Sequence, residues 1–347
     1  MVQSNSNGAT LPVLLATSPQ GVETAHARGD GTWEVRRSLG DVRASCLAVH
    51  TGVAGLVYAG TRDRGVWRSS DRGATWSAVG PVERDVTSIA VSRADPATVY
   101  AGCKPAGVLV SRDGGASWHA LEGFRSARRW YWCSPAEPPG WRPYVLGLAV
   151  SPTDPDVVLA GVEAGAVVRS TDGGRTWSTH RRSADRDCHA LAFHASDDRW
   201  VYEAGGGGPA VSRDGGERFS HVAKGLAGRY GMAVAADPQR PEVWYVASAP
   251  LWSPRAPTRM PPVGHTEGGA MAAIHRASGG GGWERLAGGL PTPLDHPPYG
   301  LATDPNAPGH LYLGLSHGEV WRSTDHGDTW ARLPLRFGGV RRALAVA

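Results

Sequence analysis

Four histidines stand where imidazole chemistry could be done: His189 in "RDCHALAF", His265 in "PVGHTEGG", His296 in "PLDHPPYG" and His317 in "LSHGEV". Carboxylates lie near them along the chain, with Asp187 and Glu203 around the first and Glu267 and Asp295 around the next two. Imidazole beside carboxylate is the usual equipment for general acid and base work near neutral pH. Three imidazoles with open positions are also a ligand set for a divalent metal. The expectation is that His189, His265, His296 and Glu267 carry proton transfer. If a divalent metal is the cofactor, His189, His296 and His317 are its expected ligands; the sequence names no other cofactor.

A second group of residues has the chemistry of binding. The stretch 121–144, "LEGFRSARRWYWCSPAEPPGWRPY", packs Arg125, Arg128, Arg129, Trp130, Tyr131, Trp132, Trp141 and Arg142 into a short span. Guanidinium groups clamp anions and aromatic faces stack on sugar or planar rings, so Arg129, Trp132 and Arg142 are expected to bind substrate. Its several prolines fit a rigid loop, which equally suits a self-packed cover. Arg43, Tyr144, Tyr230, Tyr299 and Arg342 stand at the starts of short apolar runs. There they either hold a carboxylate or plug a channel by satisfying one another.

What positions these residues is a repeat. The phrase Ser-x-Asp-x-Gly-x-Thr-Trp reads "SSDRGATW" ending at Trp76, "SRDGGASW" at Trp118, "STDGGRTW" at Trp177, "SRDGGERF" at Phe219 and "STDHGDTW" at Trp330. Worn copies end at Trp33 and Trp283, so the aromatic mark recurs at about forty residues or more, the period of a circular or stacked array. An apolar run accompanies each unit: "CLAV", "SIAV", "GLAV", "ALAF", "GMAV", "GLAT" and "ALAV". Asp-Pro and Gly punctuate period-two segments too short for helices, so each unit reads as a four-stranded antiparallel sheet. The chain ends on the strand "ALAV" and opens on "LPVLLATSPQGVETAHARGDGTWEV" without a first strand. Pairing the two ends closes the ring and removes the exposed edges of an open array. The prediction is an all-β, seven-bladed β-propeller in one domain over 1–347, with insertions 121–144 and 249–269 on its top face.

The repeated phrase resembles the Asp-box, or BNR repeat, of sialidase-like and sortilin-like propellers, and the single-ring length is similar to the photosystem assembly factor family. The resemblance covers nearly the whole chain and implies the fold. It implies little about activity, since glycosidases, receptors and assembly factors share the box. The carboxylates of Asp71, Asp113, Asp172, Asp214 and Asp325 are expected to accept backbone N–H bonds in tight turns at the outer rim. No sialidase site residue is carried over: the only Arg-Leu-Pro phrase, at Arg332, follows the last box on an outer strand. A single ring also lacks the cleft of the two-propeller xyloglucanase type.

Composition narrows the classes. With 41% hydrophobic residues, 47 glycines and 26 prolines in 347, the chain suits many short strands joined by turns. The net charge of +4 is spread as arginines alternating with acids, without the basic and aromatic interleaving of a nucleic-acid groove. No apolar run approaches the roughly twenty residues of a membrane span. Four cysteines without C-x-x-C spacing describe neither a zinc site nor a secreted disulfide framework, and Cys103 with Cys133 is the only pair expected to be close. The opening residues lack a basic region before "LPVLLA", so a cytoplasmic protein is expected. Two functions are in view: an enzyme acting on a small polar or glycan-like substrate by acid/base chemistry of hydrolase or lyase type, and a binding or assembly platform for a protein or small ligand.

Overall fold

The computed structural model describes residues 11–80, 84–130, 132, 142–251, 262–279 and 282–347. Alternating apolar residues bounded by glycine turns give short strands, and these form seven antiparallel sheets arranged as the blades of a propeller. Blade two is representative, running outward through Ala44–Val49, Val57–Thr61, Val66–Ser69 and Ser77–Ala78. Blade one is built from both ends of the chain: Leu344–Val346 pairs with Val13–Ser18, setting Leu14 opposite Val346 and Ala16 opposite Leu344. The closure expected from the sequence is therefore the one found.

Blade four departs from the pattern, with three strands among its described residues. Its outer segment still follows the sheet, since Ser178 N–H donates to Arg169 O at 2.8 Å and Arg181 N–H to Val167 O at 2.8 Å. The Arg169 N–H, however, goes to the Ser178 hydroxyl at 2.9 Å. A side chain has taken a carbonyl's place, which breaks the regular ladder.

The hydrophobic core lies between blades as separate apolar clusters. One fully buried tyrosine from the second strand recurs in several blades and ties each to its neighbour: Tyr58 donates to Gly114 O at 3.1 Å, Tyr100 to Pro155 O at 2.8 Å and Tyr202 to Pro241 O at 2.6 Å.

The repeated phrases form the turns between third and fourth strands, as predicted. In the box of blade three, Asp113 accepts the Ser111 hydroxyl at 2.7 Å, the Ser117 N–H at 2.8 Å and the Ser117 hydroxyl at 2.6 Å, while Gly115 N–H donates to Ser111 Oγ at 2.8 Å. Gly115 has φ of +102°, and a β-carbon there would meet Val79 at 2.8 Å, so glycine is required. The Trp118 indole closes the unit by donating to Gly115 O at 3.0 Å and to Val79 O at 2.7 Å.

The blade-to-blade connectors and the loops between second and third strands emerge on the opposite face, here the top. Of the two expected insertions there, residues 131, 133–141 and 252–261 lie outside the described residues, and with them Tyr131, Trp141 and Cys133. The first insertion carries a short helix, Gly123–Ala127, near its start.

Candidate functional site

A backbone irregularity near the axis sets up the site. The inner strands of blades two to six each carry a register shift of one residue near the top. A bulge leaves its extra residue out of the ladder and re-aims the side chain. In blades two, three and five the extra residues are Ser45, Thr87 and His189, and each reaches a carbonyl of the following blade: Val86, Val145 at 2.7 Å and Gly231 at 2.7 Å. Blade five thus puts an imidazole where blades two and three use a hydroxyl, and where blades four and six have Leu146 and Met232. The carbonyl can only accept, so His189 carries a proton on Nδ1 and turns Nε2 toward the axis.

From there a chain of polar side chains crosses to blades six and seven. His189 Nε2 lies 3.5 Å from Asp187 Oδ2 and 3.5 Å from the Tyr230 hydroxyl. That hydroxyl is 2.8 Å from His265 Nε2, and His265 Nδ1 is 2.7 Å from the Tyr299 hydroxyl. The His265 ring stands edge-on to Tyr230 at 5.3 Å and stacks over Tyr299 at 5.6 Å. Three loops supply these groups: Asp187 and Tyr299 end connectors, and His265 sits in the 3-10 turn Val263–His265 of the second-to-third-strand loop of blade six.

The two imidazoles are driven apart in acidity. Burial pushes His189 toward its neutral form, but the Asp187 carboxylate and the Gly231 carbonyl outweigh it, and its pKa ends above the usual 6.5. Burial, reinforced by the nearby charges of His189 and Arg342, takes His265 down to about 4. Burial raises Tyr299 to about 12 and Tyr230 further. At neutral pH His265 is therefore neutral and carries one N–H, and His189 is the readier of the two to hold a second proton. When His189 is protonated, its Nε2–H faces the Tyr230 oxygen, Tyr230 donates to His265 Nε2 and His265 Nδ1–H donates to Tyr299. The Tyr299 O–H is then the free end of the chain.

Beside that end lies a second pair. Glu267, two residues beyond His265, accepts the His296 Nδ1–H at 2.8 Å and the Ser316 hydroxyl at 2.8 Å. His296 stacks on His317 with ring centres 3.8 Å apart, and His317 Nε2 lies 3.5 Å from Glu319. The Glu267 charge is close enough to raise the Tyr299 pKa further. Five of the expected residues, His189, Tyr230, His265, Tyr299 and Glu267, are therefore neighbours, and His296 and His317 adjoin them.

Other expectations need correction. His189, His296 and His317 do not meet as a ligand set: His189 is committed to Gly231 and Tyr230, and among the described residues no group of three His, Cys, Asp or Glu side chains could hold a metal ion. Trp132 is not a stacking platform, because it is buried against Phe124, Ala127 and Val162. Arg129 is turned back onto the helix end, donating to Ser126 O at 2.9 Å and Arg128 O at 3.1 Å. Arg43 is paired with Asp63 at 3.7 Å, and Arg142 is exposed to solvent. Tyr144 is at the axial mouth, but buried, with Lys104 Nζ 5.5 Å and Arg342 Cζ 5.8 Å from its ring centre.

Sequence reasoning missed Lys104 and Glu163. Lys104 ends a second strand and Glu163 directly follows one, and aligning the repeats at that position would have set them level with Arg62 and Gly206. It also missed the environment of Glu203: the side chain is fully buried and both oxygens accept the Asp185 N–H, at 3.0 and 3.1 Å. Desolvation lifts its pKa to about 8. A surface cavity of about 570 Å³ lies beside it, lined by Asp185, Arg186, Gly207, His221 and Arg229 rather than by the histidine chain.

Residues 168–179 match the BNR/Asp-box repeat model, and the chain is a seven-bladed Asp-box propeller. No curated protein matches it. Among solved structures it is similar to an ancestral GH74 enzyme, with 17% identity and a TM-score of 0.63 over 84% of this chain and 38% of that one. The GH74 xyloglucanase of Xanthomonas campestris gives 20% identity and a TM-score of 0.60 over 84% and 45%. YCF48 of Cyanidioschyzon merolae gives 13% and 0.58 over 86% and 88%, and a YCF48 bound to a D1 peptide gives 15% and 0.54 over 84% and 82%. The chain spans less than half the length of the GH74 enzymes. At such identities the likeness is one of fold.

Proposed function

We propose that this propeller binds a small polar or glycan-like molecule at the top of its axis and transfers protons on it, as a hydrolase or lyase. The observation that carries this reading is the chain Asp187, His189, Tyr230, His265, Tyr299. It links two imidazoles whose surroundings displace their acidities in opposite directions, and such divergence is how one site holds both an acid and a base at neutral pH.

The proton balance follows from the hydrogen bonds. For acid action, Tyr299 gives its proton to the departing oxygen and takes one from His265 Nδ1. His265 Nε2 receives the Tyr230 proton, and Tyr230 is replenished from His189 Nε2–H. His189 ends neutral, with Asp187 having stabilised the imidazolium that supplied the proton. The reverse sequence makes Tyr299 a base. Glu267, exposed and adjacent, is the second carboxylate available to the bound molecule. In this reading His189, His265 and Glu267 handle protons; His296 orients Glu267; and Tyr230 and Tyr299 conduct.

The test is turnover. Neutral and acidic oligosaccharides are incubated with the protein, and products are analysed by mass spectrometry for added water, the sign of hydrolysis, and by ultraviolet absorbance for an unsaturated sugar, the sign of elimination. Activity lost in His189→Ala supports the reading. Binding without turnover in every case would replace it with a platform. One observation favours that second reading: Trp130 is 95% exposed beside Arg125, Arg128 and Arg129, a surface suited to gripping a partner.

A further inference from the structure

Blade five departs from the repeat twice. One departure is His189 at the bulge, and the other is Glu203, which stands opposite Leu191 in the second strand. At the same place on the ladder the other blades carry Ala16, Ala59, Ala101, Ala160, Val246 and Leu313. A fold that builds this position six times with an apolar side chain does not need a carboxyl there, and burying one is unfavourable unless it makes hydrogen bonds.

The carboxyl is the first link of a chain of contacts that ends at the imidazole. Glu203 is fully buried and faces Asp185 and the Cys188 thiol. Both its oxygens accept the Asp185 N–H, at 3.0 and 3.1 Å. Asp185 in turn closes a tight turn: its Oδ1 accepts the Asp187 N–H at 3.0 Å, and its Oδ2 accepts the Gly207 N–H. The Asp187 carbonyl accepts the Gly206 N–H at 2.9 Å. One Asp187 carboxylate oxygen accepts the Ala164 N–H of blade four at 3.2 Å, and the other lies 3.5 Å from His189 Nε2.

Space is reserved for this turn by three successive glycines. A β-carbon on Gly205 would come within 2.5 Å of the Asp187 carbonyl oxygen, and one on Gly207 within 2.8 Å of Asp185 Oδ2. One on Gly206 would collide with Asp187 Oδ2, the oxygen that faces His189. The turn therefore lies flush against the backbone of the hairpin loop, with Glu203 pinning its first residue.

We propose that Glu203 is a positioning residue: by holding the Asp185 N–H it fixes the turn 185–187, keeps the Asp187 carboxylate against His189, and so sets how firmly that imidazole holds its second proton. Its part in turnover rests on the axial reading above, to which it adds the residue that tunes the proton source. The other groups facing His189 are Glu163 of blade four and Tyr230, the Gly231 carbonyl and His265 of blade six. They belong to other blades, so a change at Glu203 reaches the imidazole through Asp187.

The experiment follows the His189 ring nitrogens by NMR on the isotope-labelled full chain from about pH 5 to 9, the range in which imidazole titrates, with the signals assigned by their loss in His189→Gln. Glu203→Leu keeps the bulk and removes the acceptor, and is expected to lower the His189 midpoint by at least about half a pH unit. Glu203→Gln keeps a carbonyl for the Asp185 N–H and should stay within about 0.2 of wild type. In an Asp187→Asn background, where the carboxylate is gone, Glu203→Leu should add less than about 0.2. The same midpoint, or none in that range, in wild type and Glu203→Leu overturns the proposal. So does a fall in Glu203→Gln as large as in Glu203→Leu, or the full effect persisting in the Asp187→Asn background.

If Glu203→Leu proves unfolded by circular dichroism, Asp185→Ala is compared with Asp185→Asn, which loses the same charge and keeps an acceptor for the Asp187 N–H. The lower midpoint is expected in Asp185→Ala, and equal midpoints overturn the proposal. The readout is a titration, so its failure is distinguishable from that of the functional reading. A Glu203-dependent midpoint in a protein that turns over no oligosaccharide sinks only the proton transfer. Turnover that depends on His189, with a midpoint indifferent to Glu203, sinks only the positioning role.

Discussion

The rim and the axis of this propeller use their carboxylates to opposite ends. At the rim, the Asp113, Asp172 and Asp325 carboxylates are held near a pKa of about 2 by hydroxyl and N–H donors of their own turns. Each is a finished local structure, with its lone pairs occupied by neighbours four residues away. At the axis, Asp187, His189, Tyr230, His265 and Tyr299 come from three blades and meet one another as a chain. A carboxylate wholly engaged by its own turn holds a fold together. Groups that share protons across blades remain able to exchange them.

The sharpest way to break the contrast is to remove one group from each region. His189→Ala is expected to lower turnover of a responsive oligosaccharide about 10²- to 10⁴-fold, the usual worth of a positioned acid or base. Asp113→Ala, measured in the same assay, should leave turnover within about twofold. Similar losses in both would erase the distinction.

Stability against pH gives the next largest effect. Glu203 has its pKa raised to about 8, so the protonated form stabilises the fold. That contribution is complete below the unfolded value of 4.5 and is lost as pH rises through about 8. Glu203→Gln, which mimics the protonated acid, should be more stable than wild type at pH 9 by roughly 2–4 kcal/mol in urea melts and little different at pH 5. His275, fully buried, has its pKa depressed to about 4, chiefly by desolvation, so its neutral form contributes stability above 6.5 that is lost as pH falls toward 4. His275→Gln should therefore flatten the acid limb of the same curve. No change in either limb would contradict the buried environments assigned to both groups.

Smaller effects concern the rim and the surface. Asp172→Ala leaves the Thr176 N–H and hydroxyl without their acceptor, and thermal or urea unfolding should record a loss of about 1–2 kcal/mol. Trp130→Ala, at an exposed position, should alter stability by less than about 0.5 kcal/mol and leave turnover intact. If it abolishes the protein's only measurable binding, the platform reading gains and the axial one loses.

Much of this molecule was written in local sequence. The box phrases gave the turns because Ser, Asp, Gly and Thr close their hydrogen bonds within a few residues, and the unmatched strand at each end gave the closure. The candidate site was legible in part. His189, His265, Tyr230, Tyr299 and Glu267 were expected by residue type and by their place at the tops of blades, and the ring makes them neighbours. Trp132 and Arg129 were misread, because composition cannot tell an aromatic that is buried under a short helix from one that faces solvent.

Sequence alone therefore determined the repeat, the blade and the closed ring, since these depend on contacts short along the chain or repeated identically. Only the tertiary structure decided which histidines lie together and which way their acidities move. A one-residue bulge turns His189 toward the next blade, and the burial and charges around each imidazole come from residues tens of positions apart. Proton affinity is set by that surrounding field, and the field exists only once the ring has closed.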